Sequence, residues 1–173
     1  TSRAIQEGID AAQELVMQVS GLQREPADIS NVVMAIKCGA SDTISGMASN
    51  CVIGYVADKL VDLGATVVFG ETTEFLGGEH ILARRAVGGP DGPAGKKIFE
   101  IVNNMEQRAA LLGEDMRGGQ PTPGNIAGGL SSIEEKSLGA IVKSGHRPIQ
   151  GVLEYPQFVT CLLYTSPSPR DLS

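Results

Sequence analysis

Two short polar segments each follow an apolar run, and they carry the residues best suited to bind a metal ion. Cys38 comes directly after the run 31–37, and Glu71 and Glu74 come after the run 65–69. A thiolate and two carboxylates can ligate a divalent cation, and a pair of carboxylates can also act as base and acid. On residue type alone, a buried structural cysteine is as good an interpretation of Cys38, and a pair of glutamates in a loop is by default solvated surface. We take Cys38, Glu71 and Glu74 as candidate metal ligands.

Residues 117–143 form a second candidate segment, which begins as a glycine- and proline-rich loop and ends as a helix. The glycines and prolines argue against a helix or a central strand in its first part. Ser132 followed by Glu135 is typical of a capping box at a helix start. The N–H groups and positive dipole end of such a start suit an anion. Lys136 and Lys143 add cations near this start, although most lysines on helices face water. The alternative interpretation is that the segment is only a long connection with a well-formed helix cap.

The spacing of apolar residues predicts the strands and helices that position these segments. Runs 31–37 and 65–69 are typical of strands buried on both faces, and the apolar stripe from Met47 to Leu63 between them predicts a helix. Strand, helix and strand make one βαβ unit of a parallel sheet. Ligands of such α/β sheets bind outside the carboxyl ends of the strands, where both polar loops lie. Further helices are predicted at 2–19 and 75–87 and from Pro93, the last packing against the sheet, and a third strand at 148–153.

Composition narrows the classes of function. A formal charge of −6 and a pI near 4.9 argue against nucleic-acid binding. No apolar run approaches the roughly 18 residues that cross a bilayer, so no membrane partner is expected. Three cysteines without a C-x-x-C pair, and an N-terminus without a signal-peptide pattern, indicate a reducing cytoplasm.

The chain divides into three parts on pattern. Residues 1–28 are interpreted as a helical lead-in, 29–155 as an α/β domain, and 156–173 as an atypical tail. The tail is rich in serine and proline and does not continue the α/β rhythm. We therefore interpret it as foreign to the fold and exclude Cys161 from the site.

Three motifs, spaced in order over 29–155, resemble the altronate/galactarate dehydratase family. Two small residues depart from the family's usual pattern, Ala40 in place of a second glycine and Cys51 where proline is common, and we expect them to tune the loop locally. The motifs are Cys38-Gly39-x-Ser41-Asp42-x-x-Ser45-Gly46 with Asn50, then Glu71-x-x-Glu74, then Pro121-x-Pro123-Gly124-Asn125-x-x-Gly128-Gly129 with Glu135-Lys136-Ser137-x-Gly139.

The resemblance implies a hydro-lyase that needs a divalent metal, usually Fe²⁺, and acts on a small anionic sugar acid. Family members remove water from altronate or galactarate, and related sulfo-lyases release sulfite from sulfolactate. It also implies a Rossmann-like parallel sheet flanked by helices, here incomplete at its C-terminal end. Such chains can form homodimers or assemble with a small subunit corresponding to an N-terminal domain. The rival interpretation is a truncated fold that keeps a small-anion site without turnover.

The resemblance also implies roles for individual residues. We expect Glu135 to serve the helix start and Lys136 to face the substrate, so that the three motifs wall one pocket at the strand ends. The expected metal ligands are Cys38, Glu71 and Glu74; the catalytic residues are Asp42, Ser45 and Lys136; and the substrate-binding residues are Ser41, Asn50, Gly124, Asn125, Gly128 and Gly129.

Overall fold

Strands β1 (Val33–Ile36) and β2 (Thr66–Phe69) lie side by side in parallel, with Val33 opposite Thr66 and Ile36 opposite Phe69. They belong to a computed structural model that describes residues 2–153. Helix α2 (Asn50–Asp62) connects them, preceded by a wide helical turn at Ser45–Ser49. The predicted βαβ unit and the α/β class are therefore confirmed. The interpretation of 156–173 lies outside the described residues.

The strands are less buried than their apolar sequences predict. Ile36 is buried, but Val33 and Ala35 on the opposite face of β1 are exposed, and no residue of β2 is fully buried. The prediction of strands buried on both faces is therefore wrong for the described part of the chain. Apolar residues alternate between two faces of a strand, and their types do not report whether both faces are covered.

The main core lies among helices rather than on the sheet. It is formed between α3 (Glu79–Arg85), α4 (Pro93–Leu111), α6 (Ile133–Ile141) and a turn at Thr72–Phe75. Contrary to the prediction, α4 packs chiefly on α3 and on that turn. The sheet meets this core where the ring of Phe69 stands edge-on to that of Phe75, with centroids 5.4 Å apart. The buried residues of the core are Phe75, Leu76, Leu82, Ala86, Ala94, Ile98, Val102, Ile133, Ile141 and Ile149.

The predicted third strand at 148–153 does not join the sheet. Its Ile149 makes an isolated parallel bridge with Ala86, donating its N–H to Arg85 and accepting from Val87. Pro148 has no N–H to give to a ladder, which shortens any pairing on its side. The segment therefore pairs with the end of α3 instead of extending the sheet.

The remaining helices follow the sequence in part. Helix α1 (Ser2–Ser20) confirms the predicted helix at 2–19, and its residues are all exposed. Within 117–143, a short helix α5 (Pro123–Ala127) forms where none was expected. Thr122 explains it, because its side chain and that of Asn125 cap each other's backbone N–H groups, and Pro123 suits a first helical turn. A last turn, Val142–Ser144, extends α6. None of the described helices is both long enough and apolar enough to cross a membrane.

Candidate active site

Cys38, Glu71 and Glu74 come together at the carboxyl ends of β1 and β2. One ligand atom from each, a sulfur and two carboxylate oxygens, lie within 4.8 Å of one another. The parallel pairing causes this, since the N–H of Gly70 still bonds to the carbonyl of Ile36 as the strands end. The structure thus contains the group of three side chains that was predicted from the strand ends. The role of these side chains as metal ligands stays a prediction.

Glu71 is held in an unusual backbone conformation. Its φ of 65° lies in the left-handed region, which costs a non-glycine residue roughly 1 kcal/mol or more. Its Oε2 accepts the backbone N–H of Cys38 across 2.7 Å. Burial opposes ionisation of Glu71, but this bond and the charges of Lys37 and Lys143 lower its pKa. The strained backbone therefore presents an ionised carboxylate to Cys38.

Glu74 is the most buried member of the group, with 3% of its surface exposed. Its Oε2 accepts from Nζ of Lys143 at 2.6 Å, and Lys143 is also buried. Its Oε1 is buried without any hydrogen-bond partner. A buried carboxylate oxygen seldom stays unpaired. Beside a thiol and a second carboxylate, this oxygen fits a site for a cation.

The surroundings of the Cys38 thiol disfavour its ionised form and would favour a bound cation. Partial burial raises its pKa, and the neighbouring Glu71 and Glu74 raise it further. Without a nearby positive ion the thiol keeps its proton at neutral pH. A divalent cation would reverse the balance, because metal binding displaces the proton of a cysteine ligand.

Lys136 lies in a second cluster, on the first turn of α6. Its Nζ donates to Oε1 of Gln120 at 2.6 Å and to Oδ1 of Asn125 at 3.1 Å. The side-chain amide of Asn125 donates in turn to the carbonyl of Ser41. These bonds connect α6 to α5 and to the loop before α5, and they connect α5 to the loop that follows β1. Two of the three recognised motifs therefore meet here, as predicted.

Gly128 and Gly129 pack against the loop after β1 and leave no room for side chains. A Cβ on Gly128 would lie 2.9 Å from that of Asp42, and one on Gly129 would lie 2.7 Å from Oγ1 of Thr43. The N–H of Thr43 also donates to the carbonyl of Gly128. A Cβ on Gly124 would make only an ordinary van der Waals contact, 3.9 Å from Oγ1 of Thr122. The two glycines therefore permit the contact between loops, and their contact with substrate stays a prediction.

Asp42, Ser45 and Asn50 make structural contacts as well. Oδ1 of Asp42 accepts the N–H of Ser45, which lowers the pKa of Asp42 and caps the turn before α2. The side chain of Asn50 donates to the carbonyl of Gly139 and joins α2 to α6. Asp42 is thus ionised at neutral pH, and the structure shows Asn50 in a bond between helices.

A cavity of about 330 Å³ lies beside the Lys136 cluster. Cys38, Glu71 and Glu74 are not among its lining residues, so the expected single pocket at the strand ends is divided in the described part of the chain. A wider groove of about 530 Å³ runs along α4, away from the candidate residues. The smaller cavity is lined by predicted residues, namely Ser41, Asp42, Asn50 and Lys136, and also by Thr43, Gly46, Met47, Leu130, Glu135, Leu138, Gly139, Ala140 and Val142.

Residues 29–171 match the family model described as D-galactarate/altronate dehydratase, C-terminal. The chain belongs to this dehydratase family. It is 44% identical over 144 residues to the beta subunit of (2R)-sulfolactate sulfo-lyase from Chromohalobacter salexigens, covering 83% of this chain and 36% of that protein. It is 36% identical over 169 residues to galactarate dehydratase (L-threo-forming) from Escherichia coli K12, covering 96% and 32%. Altronate dehydratase from Bacillus subtilis 168 is 34% identical over 148 residues, covering 86% and 29%. The chain spans about a third of the length of these relatives.

The membership of this dehydratase family agrees with the resemblance inferred from the three motifs. Two features of the candidate site are not predicted by the sequence analysis. Lys143 is named there only as a cation near the anion-binding segment, and its buried pairing with Glu74 is not expected. Gln120 precedes the proline motif and was not considered. Glu135 serves the start of α6 as expected, but its carboxylate accepts from Ser131, one residue before the predicted partner.

Proposed function

We propose that the chain supplies part of the active site of a metal-dependent lyase that dehydrates a sugar acid such as altronate or galactarate. The reaction removes the proton next to the carboxylate and the hydroxyl on the following carbon. The resulting enol rearranges to a 2-keto-3-deoxy acid. The observation that carries the proposal is the group of Cys38, Glu71 and Glu74, in which a buried oxygen of Glu74 has no partner.

These three side chains fit a divalent cation in their chemistry. They offer one sulfur and two carboxylate oxygens, a set that Fe²⁺ accepts. When bound, the ion would stabilise the negative charge that develops as the substrate loses its proton. Glu71 is ionised and the backbone N–H of Cys38 fixes its orientation, so one ligand is in place beforehand.

Lys136 is proposed to hold the substrate carboxylate. Its two hydrogen-bond partners, Gln120 and Asn125, are neutral side chains. Among the described residues, no carboxylate forms an ion pair with Lys136, so its charge is free to attract an anion. A charged amine bonding to a carboxylate gives one of the stronger hydrogen bonds in proteins.

Asp42 is proposed to accept the proton that the substrate loses or to orient a substrate hydroxyl. It lines the same cavity as Lys136 and is ionised, because Ser45 bonds to its Oδ1. Ser41 and the backbone around Gly124, Asn125, Gly128 and Gly129 complete the proposed binding surface. A carboxylate and an ammonium facing one cavity supply both a proton acceptor and a proton donor.

A second candidate reaction is the release of sulfite from sulfolactate. It is favoured by the 44% identity to a protein named as a sulfo-lyase subunit. In both reactions the leaving group, water or sulfite, departs from the carbon β to the carboxylate, so the proposed site suits either reaction. That name also supports assembly with another subunit, and we propose a homodimer or such a complex in the cytoplasm.

The full-length protein that contains this chain tests the proposal directly. It would be loaded with Fe²⁺ and assayed on altronate, galactarate and sulfolactate, with 2-keto-3-deoxy acid and sulfite measured separately. Iron content would be compared for Cys38→Ala and the matched variant Cys51→Ala, since Cys51 is exposed and outside the group. We expect Cys38→Ala alone to lose iron and turnover. Bound iron without turnover on any of the three acids would favour a non-catalytic anion-binding fold.

A further inference from the structure

Lys143 has no part in the proposed reaction, yet it is one of the few buried charges of the described chain. Lys143 is 6% exposed and Glu74 is 3% exposed. The two form an ion pair, with 2.6 Å between Nζ of Lys143 and Oε2 of Glu74. Burying two long charged side chains carries a large desolvation penalty. A pair of this kind calls for an explanation beyond stability.

The carboxylates of Glu74 and Glu71 are held in similar ways. Oε2 of Glu74 accepts from Lys143, and Oε2 of Glu71 accepts from the N–H of Cys38. In Glu74 the other oxygen is buried and unpaired. The protein thus holds one oxygen of each carboxylate with an N–H donor, and the second oxygen of Glu74 is left for another partner.

We propose that Lys143 is a positioning residue that takes the place of the metal's charge while the site holds no ion. It keeps Glu74 buried and oriented, with Oε1 ready to bind a cation. The inference rests on the metal site of the proposed function. It adds that Lys143 allows the protein to fold before the ion binds.

The proposal has a consequence that separates it from simple packing. Removing one partner of a buried pair leaves an uncompensated charge, which is strongly destabilising. In Lys143→Met, a cation is the remaining way to compensate Glu74. The variant should therefore depend on the ion for its stability far more than the native protein does. If Lys143 only fills space, its loss should cost the same with and without the ion.

The test is thermal unfolding of the full-length protein, with and without Mn²⁺ as an air-stable divalent probe. Without Mn²⁺, we expect Lys143→Met to lower the Tm by roughly 10 °C, and Mn²⁺ to restore most of that loss. Lys143→Arg should keep most of the native Tm. The exposed lysine variant Lys59→Met is the matched control and should behave as the native protein does.

The double variant Glu74→Gln/Lys143→Met keeps the test decisive. With the carboxylate neutral, loss of Lys143 should cost little beyond the cost of Glu74→Gln alone. If Lys143→Met does not fold, a folded double variant still supports the inference, and an unfolded one overturns it. An equal loss with and without Mn²⁺, in a native protein that binds Mn²⁺, also overturns it. A native protein whose Tm does not respond to Mn²⁺ would instead contradict the metal site itself, while the double variant would still report on the pair.

Discussion

The backbone N–H of Cys38 donates to Oε2 of Glu71 across 2.7 Å and joins the two loops that follow the parallel strands. The residues are 33 positions apart in sequence, and the pairing of β1 with β2 brings them together. Because Glu71 makes this contact from a left-handed backbone conformation, the geometry of the candidate site depends on local strain. Strain of this kind persists only where the surrounding structure holds it in place.

Glycine at position 71 should relieve that strain. Glu71→Gly and Glu71→Ala both remove the carboxylate. The positive φ at this position is unfavourable for alanine, which has a Cβ, and carries no such cost for glycine. We expect the glycine variant to be more stable than the alanine variant by about 1 kcal/mol, measured by urea unfolding. Both should lose metal binding equally. Equal stability of the two variants would show that position 71 is not strained in the folded protein.

Lys136→Met should weaken substrate binding. The ammonium bonds only to neutral groups within the described chain and is proposed to hold the substrate carboxylate. Loss of a charge-assisted bond of about 2–3 kcal/mol predicts a roughly 100-fold fall in kcat/KM. Lys136→Arg should retain part of the activity. Lys96→Met, on the separate groove along α4, is the control. Unchanged kcat/KM in Lys136→Met would remove this residue from the binding site.

The sequence predicts this site where a single physical rule decides the geometry. Parallel strands end at one edge of a sheet, so Cys38, Glu71 and Glu74 can be placed together without coordinates. Lys143 escapes such reasoning, because its burial depends on how the end of α6 meets the turn that carries Glu74. The segment around Ile149 looks like a strand by its apolar pattern, but the pattern does not specify its partner.

Alanine at Gly129 should loosen the contact between the loop after β1 and the loop before α6. Its φ of 95° disfavours any side chain, and a Cβ would overlap Oγ1 of Thr43. We expect Gly129→Ala to reduce the free energy of unfolding by about 1–3 kcal/mol. Gly124→Ala, which meets only Oγ1 of Thr122 at 3.9 Å, should change it little. Calorimetric unfolding of both variants makes the comparison, and a similar loss in each would contradict the packing described above.

Asp58 makes the contact between α2 and the segment that follows α6 depend on pH. Burial would raise the pKa of Asp58, but the backbone N–H and ring of His146 and the backbone N–H of Arg147 together lower it. A carboxyl group with a lowered pKa in the folded protein stabilises the fold above its unfolded pKa, roughly 4, and loses that contribution as the pH falls through its folded value.

Asp58→Asn keeps an oxygen that can accept these bonds but removes the charge. We therefore expect the variant to be less stable than the native protein by about 1 kcal/mol at pH 7, and the difference to shrink as the pH falls below roughly 4. The neighbouring Asp62, paired with Arg147, titrates in both proteins, so subtracting the two free energies of unfolding at each pH removes the part of its effect that does not depend on the charge of Asp58. Urea unfolding at a series of pH values gives that difference. If this difference stays constant from pH 7 to pH 3, the ionised form of Asp58 does not stabilise the contact between α2 and the segment that follows α6.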